Sequence, residues 1–192
     1  MPIALDTCLT TLRCILRCAS DEDLEDVWSA TRYPGFNDGM RWNPPQLKSE
    51  IAAWTKHNLD IWRSGEEYVF TIRARADSSF VGRVSICRER VSGVWSIGFW
   101  IHPERWRQGL ATEASRAVIN FGFESLAAQK IVASHALWNV ASQRVMEKLG
   151  LTYVRENPRA FAKDGRWVAE AEYETDRDSW RAKEQELDKG ES

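Results

Sequence analysis

No run of apolar residues in this 192-residue chain approaches the ~18 needed to span a bilayer. The N-terminal MPIALDTCLTTLRCILRCAS is broken by Arg13 and Arg17, so it lacks a secretory apolar block. The alternation of Leu12, Cys14 and Leu16 reads as a strand rather than as a mitochondrial presequence. Paired CxxC spacing is also missing. Cys8, Cys14 and Cys18 cluster within eleven residues, with Cys87 apart, but a zinc site would need more ligands, and His57, His102 and His135 stand far apart in sequence. Reduced thiols in the cytoplasm, and no metal, are the expectation. Nor is there an excess of positive charge: 26 Lys and Arg against 28 Asp and Glu give a net charge of −2. That balance argues against nucleic acid and anionic membranes as partners. Internal repeats and low-complexity linkers are absent as well.

Present instead are 43% hydrophobic and 28% charged residues, the proportions of a soluble globular protein. A chain of this length can bury roughly 70% of its unfolded surface. A single domain over residues 1–180 is expected, followed by a charged tail, 181–192. Ten tryptophans are several-fold above ordinary usage, so some should line a binding surface as well as the core.

Period-2 and period-3.6 patterns place the elements. Thr11 to Arg17 alternates as a first strand; Ser20 then caps a helix carrying Leu24, Val27 and Trp28. Residues 33–45, with three prolines and two glycines, form a loop in which Tyr33, Phe36 and Trp42 are unusual. Gln46 to Arg63 has helical spacing. Tyr68 to Arg75 and Phe80 to Arg88 read as strands, and the nearly continuous apolar run Val94 to Ile101 as a central one. A helix over 112–126, a strand over 130–137, and a short helix from Asn139 to Gly150 follow. Strands over 151–155 and 167–175 close the domain, and the charged stretch after Asp176 frays or forms a solvated helix. The fold class is therefore α/β (α+β), with about seven strands in a mixed sheet and about four helices.

The informative stretch is WSIGFWIHPERWRQGLATEA, residues 95–114. An apolar strand interrupted by Gly98 runs into a turn with Gly109 and Ala111, and a helix starts at Thr112. Small residues there let backbone N–H groups approach a ligand, and a helix N-terminus favours phosphate oxygens. Arg105 and Arg107 add charge at the rim. The spacing fits neither a dinucleotide fingerprint nor a nucleoside-triphosphate loop. A second segment, NVASQRVMEKLG (139–150), sets Asn139 and Ser142 on one face of a helix start; an ordinary cap would look the same.

With TLRCILR (11–17), IGFWIHPERWRQGLATEA (97–114), NVASQRVMEKLGLTYV (139–154) and YETDRDSW (173–180), the chain resembles the GNAT superfamily of acyl-CoA-dependent N-acyltransferases. Within it, the ribosomal-protein-alanine acetyltransferase (RimJ/RimL-like) branch is the nearest likeness. The resemblance implies acetyl-CoA as co-substrate and a central sheet splayed at a Gly98 bulge, with pantetheine lying in the gap. It implies that backbone groups of Trp100, Ile101 and His102 hold the pantetheine amides. Trp106 opens the turn, and N–H groups of Arg107, Gln108, Gly109, Leu110, Ala111 and Thr112 hold the pyrophosphate. Asn139 fixes the pantetheine arm and Ser142 serves the thioester sulfur. Tyr33, Phe36, Trp42 and Trp54 roof the acceptor site; packing of the helix pair is the other reading of these aromatics.

Two departures bear on mechanism. Ser96 stands where many members carry a glutamate, and Arg159-Ala160 where some use another acid. A lysine amine near pKa 10.4 is only ~0.1% neutral at pH 7.4, whereas an α-amine near 7.7–8.0 is about a quarter neutral. A site without a carboxylate therefore favours α-amines or weakly basic amines of a small molecule, an antibiotic-like or nucleotide-like compound, or a peptide N-terminus. Direct attack in a ternary complex is expected, since no cysteine lies in either motif, with the rate following the acceptor's own pKa. Glu67, Glu89 and Glu170 are the reserve carboxylates. The alternatives are a catalytically silent acyl-CoA-binding regulatory module and a ribosomal-protein N-terminal acetyltransferase. For the latter the acidic Asp21, Glu22, Asp23, Glu25 and Asp26 would suit a basic partner, unless they are only a solvated helix start. A monomer or homodimer is expected.

Overall fold

Buried Cys14 and Leu16 alternate with exposed Ile15 in β2 (Cys14–Cys18), which starts later than expected. Leu12 is 83% exposed in the turn that joins it to an additional short strand, β1 (Cys8–Thr10). The computed structural model describes residues 3–190; residues 1, 2, 191 and 192, which the expected domain and tail include, lie outside the described residues. After β2 come α1 (Leu24–Thr31), α2 (Lys48–Ser64), β3 (Glu67–Ala74), β4 (Phe80–Arg88) and β5 (Val94–Ile101). Then follow α3 (Leu110–Ser125), β6 (Lys130–Ala136), α4 (Val140–Lys148), β7 (Thr152–Lys163), β8 (Arg166–Asp176) and α5 (Arg177–Gly190). No helix among the described residues is long and apolar enough to cross a membrane.

The eight strands form one mixed sheet in the order β1-β2-β3-β4-β5-β6-β8-β7. On one face α3 covers a core that includes Phe70, Ile86, Trp95, Ile119 and Ile131. On the other, Val27 of α1 and Ile51 of α2 pack with Phe80 and half-buried Trp54 and Trp100. β5 and β6 are parallel and share three rungs, Val94–Lys130, Trp95–Ile131 and Ser96–Val132. Beyond Ser96 they part, although each strand continues. This is the expected splay without the expected bulge: the β4–β5 register runs unshifted through Gly98. The break in register lies one strand away, between β3 and β4 at Ile72/Arg73.

One further expectation is corrected and another sharpened. The closing strands are a long hairpin, not two short strands. Asn157-Pro158 reads as a strand breaker, but register shifts at Tyr153/Arg155 and Asn157/Phe161 absorb it, and Asp164-Gly165 makes the turn. The charged stretch after Asp176 forms a helix, α5, that is solvated on one face and docked on the other. In α5, Trp180 is 2% exposed and its indole N–H donates to Asn120 Oδ1 of α3 at 2.6 Å. Arg116 of α3 pairs with Glu184, and Lys183 donates to the Gly150 carbonyl, so the helix is docked beyond residue 180.

One carboxylate of the acidic run at the start of α1 is spent within the molecule. Asp23 is fully buried and accepts from Thr71 Oγ1 (2.6 Å), Arg73 (2.7 Å), Arg17 (2.7 Å) and the Ser20 N–H (3.1 Å). A third guanidinium, Arg83, lies 4.0 Å away. Burial alone would raise the Asp23 pKa, but these donors hold it below the usual carboxylate range. Glu22 meets Arg17, Glu25 meets Lys48 and Asp26 meets Arg73, but the Glu22 and Glu25 side chains stay 83% and 72% exposed.

Candidate active site

The site is built where β5 ends. His102 begins a short 3-10 turn (Pro103–Arg105), its Nδ1 accepting the Glu104 N–H at 3.3 Å. The chain then takes left-handed conformations at Arg107 (φ 62°) and Gly109 (φ 76°), and α3 starts at Leu110, two residues earlier than expected. Such alternation turns successive N–H groups inward, toward an anion. Among the described residues no acceptor is found for the N–H groups of Arg107 to Thr112, three of which open α3. Distant residues hold the turn. Arg13 donates to the Gln108 carbonyl at 2.9 Å. Glu113 accepts from Thr11 Oγ1 (2.6 Å), the Arg13 N–H (2.7 Å) and Arg13 Nε (2.7 Å). Burial works to raise the Glu113 pKa, but these bonds hold it low, so the clasp is ionised at neutral pH.

Strand parity decides which backbone groups reach the fork. The His102 N–H donates to the Val81 carbonyl at 2.8 Å, toward β4. With an unshifted register, Trp100 faces β4 too, while Phe99 and Ile101 face the gap left by β6. The Ile101 carbonyl there accepts the Trp106 indole N–H at 2.8 Å. Of the three expected pantetheine contacts, Ile101 thus has the fork-facing groups. Phe99, two residues earlier, presents the same groups to the fork, as strand parity read from the sequence would give. Gly98 is exposed, and a Cβ there would meet only Ser85 Oγ at 3.6 Å. The fold does not require glycine at this point, so the space suits a bound molecule. The donor-lined turn and the free strand edge together fit an elongated phosphate-bearing amide such as acetyl-CoA.

Asn139 and Ser142 lie where β6 runs into α4. Asn139 Oδ1 accepts the Ser142 N–H at 3.1 Å, the ordinary cap, and its Nδ2 abuts Gly39 of the roof. The Ser142 hydroxyl has no partner among the described residues, and the side chain is half-buried. The roof, residues 33–45, crosses the fork. On one bank Phe36 meets Trp100 (5.3 Å) and Trp42, and Trp42 meets Trp54 (5.5 Å) in an edge-to-face chain. Tyr33 donates to Glu104 at 2.5 Å and packs on His102. On the other bank Arg41 bonds Glu170 of β8 at 2.6 Å, and Lys163 donates to the Asn37 and Met40 carbonyls. These aromatics pack on one another as well as roofing the wedge. Ser96, in the last shared rung, stands at its apex.

Residues 13–152 match the acetyltransferase (GNAT) domain family. The chain belongs to the GNAT acetyltransferase family. It is 23% identical over 172 residues to the uncharacterized N-acetyltransferase YnaD of Bacillus subtilis, covering 90% of this chain and 98% of that one. Among solved structures, Mycobacterium smegmatis RimJ in complex with CoA-disulfide superposes with a TM-score of 0.78 at 20% identity, over 90% of this chain and 88% of that one. Spermidine N-acetyltransferase from Vibrio cholerae, in complex with CoA and spermine, gives 0.76 at 15%, over 88% and 98%. Against this GNAT background a thiol nucleophile is disfavoured. Burial, with Glu67, Glu89 and Glu66 nearby, pushes Cys87 up to about 11, so it is a neutral thiol at pH 7.

Proposed function

We propose that this chain transfers acetyl from acetyl-CoA to a primary amine by direct attack in a ternary complex. The observation that carries the reading is the fork between β5 and β6, whose mouth holds a turn of unpartnered N–H groups. In this reading Arg107 to Thr112 hold the pyrophosphate, Phe99 and Ile101 bond the pantetheine arm, and Asn139 borders it. The acceptor enters beneath the roof of Tyr33, Phe36, Trp42 and Trp54. Its nitrogen lone pair bonds the thioester carbon, the C–S bond breaks, and Ser142 hydrogen-bonds the departing sulfur. The aromatic roof supports a small acceptor with a flat or aromatic part, whose ring can extend the edge-to-face chain of Phe36, Trp42 and Trp54. A cytoplasmic location agrees with the free cysteines. Free-thiol release from acetyl-CoA with a panel of amines tests the reading. Coenzyme binding without turnover on any amine would instead favour a silent regulatory module.

Gly109 is the lever for coenzyme binding. A Cβ there meets only Arg13 Nη2 at 3.5 Å, so space is available, but φ of 76° is strained for a β-branched residue. Gly109→Val is expected to cost about 1–2 kcal/mol of stability and to reorient the donors, lowering coenzyme affinity at least tenfold by calorimetry. Unchanged affinity in the folded variant would remove the pyrophosphate assignment.

The two α4 residues should separate kinetically. Asn139→Ala removes the cap, about 1 kcal/mol, and weakens coenzyme binding. Ser142→Ala leaves affinity nearly unchanged and lowers kcat, because its hydroxyl matters most as negative charge grows on sulfur. Wild-type turnover in both variants would rule the pair out.

A further inference from the structure

The wedge contains a carboxylate that the steps above leave unused. Glu170, on β8, is 5% exposed. Its Oε2 accepts from Arg41 at 2.6 Å and from Ser134 Oγ at 3.0 Å. No donor among the described residues reaches Oε1, yet that atom is not sealed from solvent. Ser134 lies two residues beyond Val132, which makes the last β6 rung with Ser96, and Gly98 lies equally far along β5. Glu170 therefore sits on the bank of the wedge facing the side-chain-free Gly98, under the roof that supplies Arg41. The other reserve carboxylates are elsewhere: Glu67 pairs with Cys87 two strands from the fork, and Glu89 is exposed past the end of β4.

We propose that Glu170 takes the proton from the acceptor's ammonium, and that Arg41 masks it until the acceptor enters. The inference rests on the N-acetyltransferase reading above. The Arg41 guanidinium, 2.6 Å from Oε2, occupies the carboxylate while no acceptor is bound. When the acceptor displaces it, the buried carboxylate keeps only the Ser134 hydroxyl as a donor, and its free oxygen can take the acceptor's proton. Arg41, whose side chain is 61% exposed, can return to water without leaving its own charge buried. The remaining groups around Glu170 do not replace it. Asn157 lies opposite on β7, Glu172 is bound by Arg155 and Asn157, and Lys163 is held by the roof carbonyls. One proton passes from nitrogen to Oε1, and the neutral amine attacks. The N–C bond forms as the C–S bond breaks, and the second amine proton leaves with the sulfur as the free thiol.

The test combines kinetics with a titration that needs no turnover. Glu170→Gln is expected to lower kcat/KM at pH 7 roughly 100-fold, with the KM for acetyl-CoA unchanged. In the wild type, two acceptors of different amine pKa should share one inflection in the pH–rate profile; in Glu170→Gln the inflection should move with the acceptor. Arg41→Met should shift the shared inflection upward. With 13C-labelled glutamate, the carboxyl resonance missing from Glu170→Gln identifies Glu170, and its titration midpoint should be higher in Arg41→Met than in the wild type. A wild-type inflection that tracks each acceptor, or a folded Glu170→Gln within twofold of wild type, overturns the proton role. An unmoved midpoint in Arg41→Met overturns the mask. If the wild type acetylates no amine, the transferase reading fails instead, and the carboxyl titration still decides whether Arg41 controls the proton.

Discussion

An Asp23→Ala protein is expected to unfold about 3–5 kcal/mol more easily than the wild type, seen as a lower denaturant midpoint at unchanged slope. Arg17, Arg73 and Arg83 converge on this one fully buried carboxylate, and Arg83 is 6% exposed with no hydrogen-bond partner for Nε or Nη2 among the described residues. Removing the anion leaves three guanidiniums, that of Arg83 buried, facing one another, a greater penalty than losing one surface pair. The acid limb follows in sign. The folded Asp23 pKa is depressed, so its contribution is present above the ordinary carboxylate range and lost as pH falls through the folded value. Below about pH 4 the wild type should therefore lose stability more steeply than Asp23→Ala. A loss under about 1 kcal/mol at pH 7 would show that the cluster contributes little beyond its own desolvation.

Gly82→Ala is the second large effect. A Cβ at Gly82 would lie 2.2 Å from the Trp100 carbonyl oxygen and 2.8 Å from the Ile101 Cα, both backbone atoms. Neither can rotate away, so β4 and β5 must separate where β5 forms one side of the fork. About 3 kcal/mol or more of destabilisation is expected, with a parallel loss of coenzyme binding in whatever fraction folds. Thermal unfolding with and without CoA measures both. A Gly82→Ala protein with wild-type melting and affinity would mean that the strands have slack here which the close contact does not suggest.

The strand–turn–helix unit from Val94 to Ser125 was legible because every level of its sequence agrees: an apolar run, a glycine-bearing turn, then helical periodicity. Gln46 to Arg63 was legible for the same reason, and the observed helix, Lys48–Ser64, differs only at its ends. β1 was not, since three residues of exposed and half-buried pattern carry no periodic signal. The β7–β8 hairpin was cut short because Pro158 reads locally as a stop, while the register shift that accommodates it is a property of the pair of strands. α5 was underrated because its composition is charged throughout, and the single Trp180 that docks it carries more weight than any average. At the site, the turn and the Asn139/Ser142 pair are local patterns. Glu170, by contrast, becomes significant only when Arg41, 129 positions earlier, is laid across it.

The three rungs that join β5 to β6 divide the sheet into halves that are completed at different times during synthesis. β1 to β5 lie in the sheet in the order in which they leave the ribosome, each antiparallel to its predecessor, so that half can assemble as the chain grows. The second half cannot close in this way, because β8, the last strand made, must insert between β6 and β7. Until β6 is made, the newly formed edge of β5 stands open over its whole length, a template for unwanted strand pairing. The finished protein seals only its first three residues, so the stretch offered to the ligand is a remnant of the edge exposed during folding.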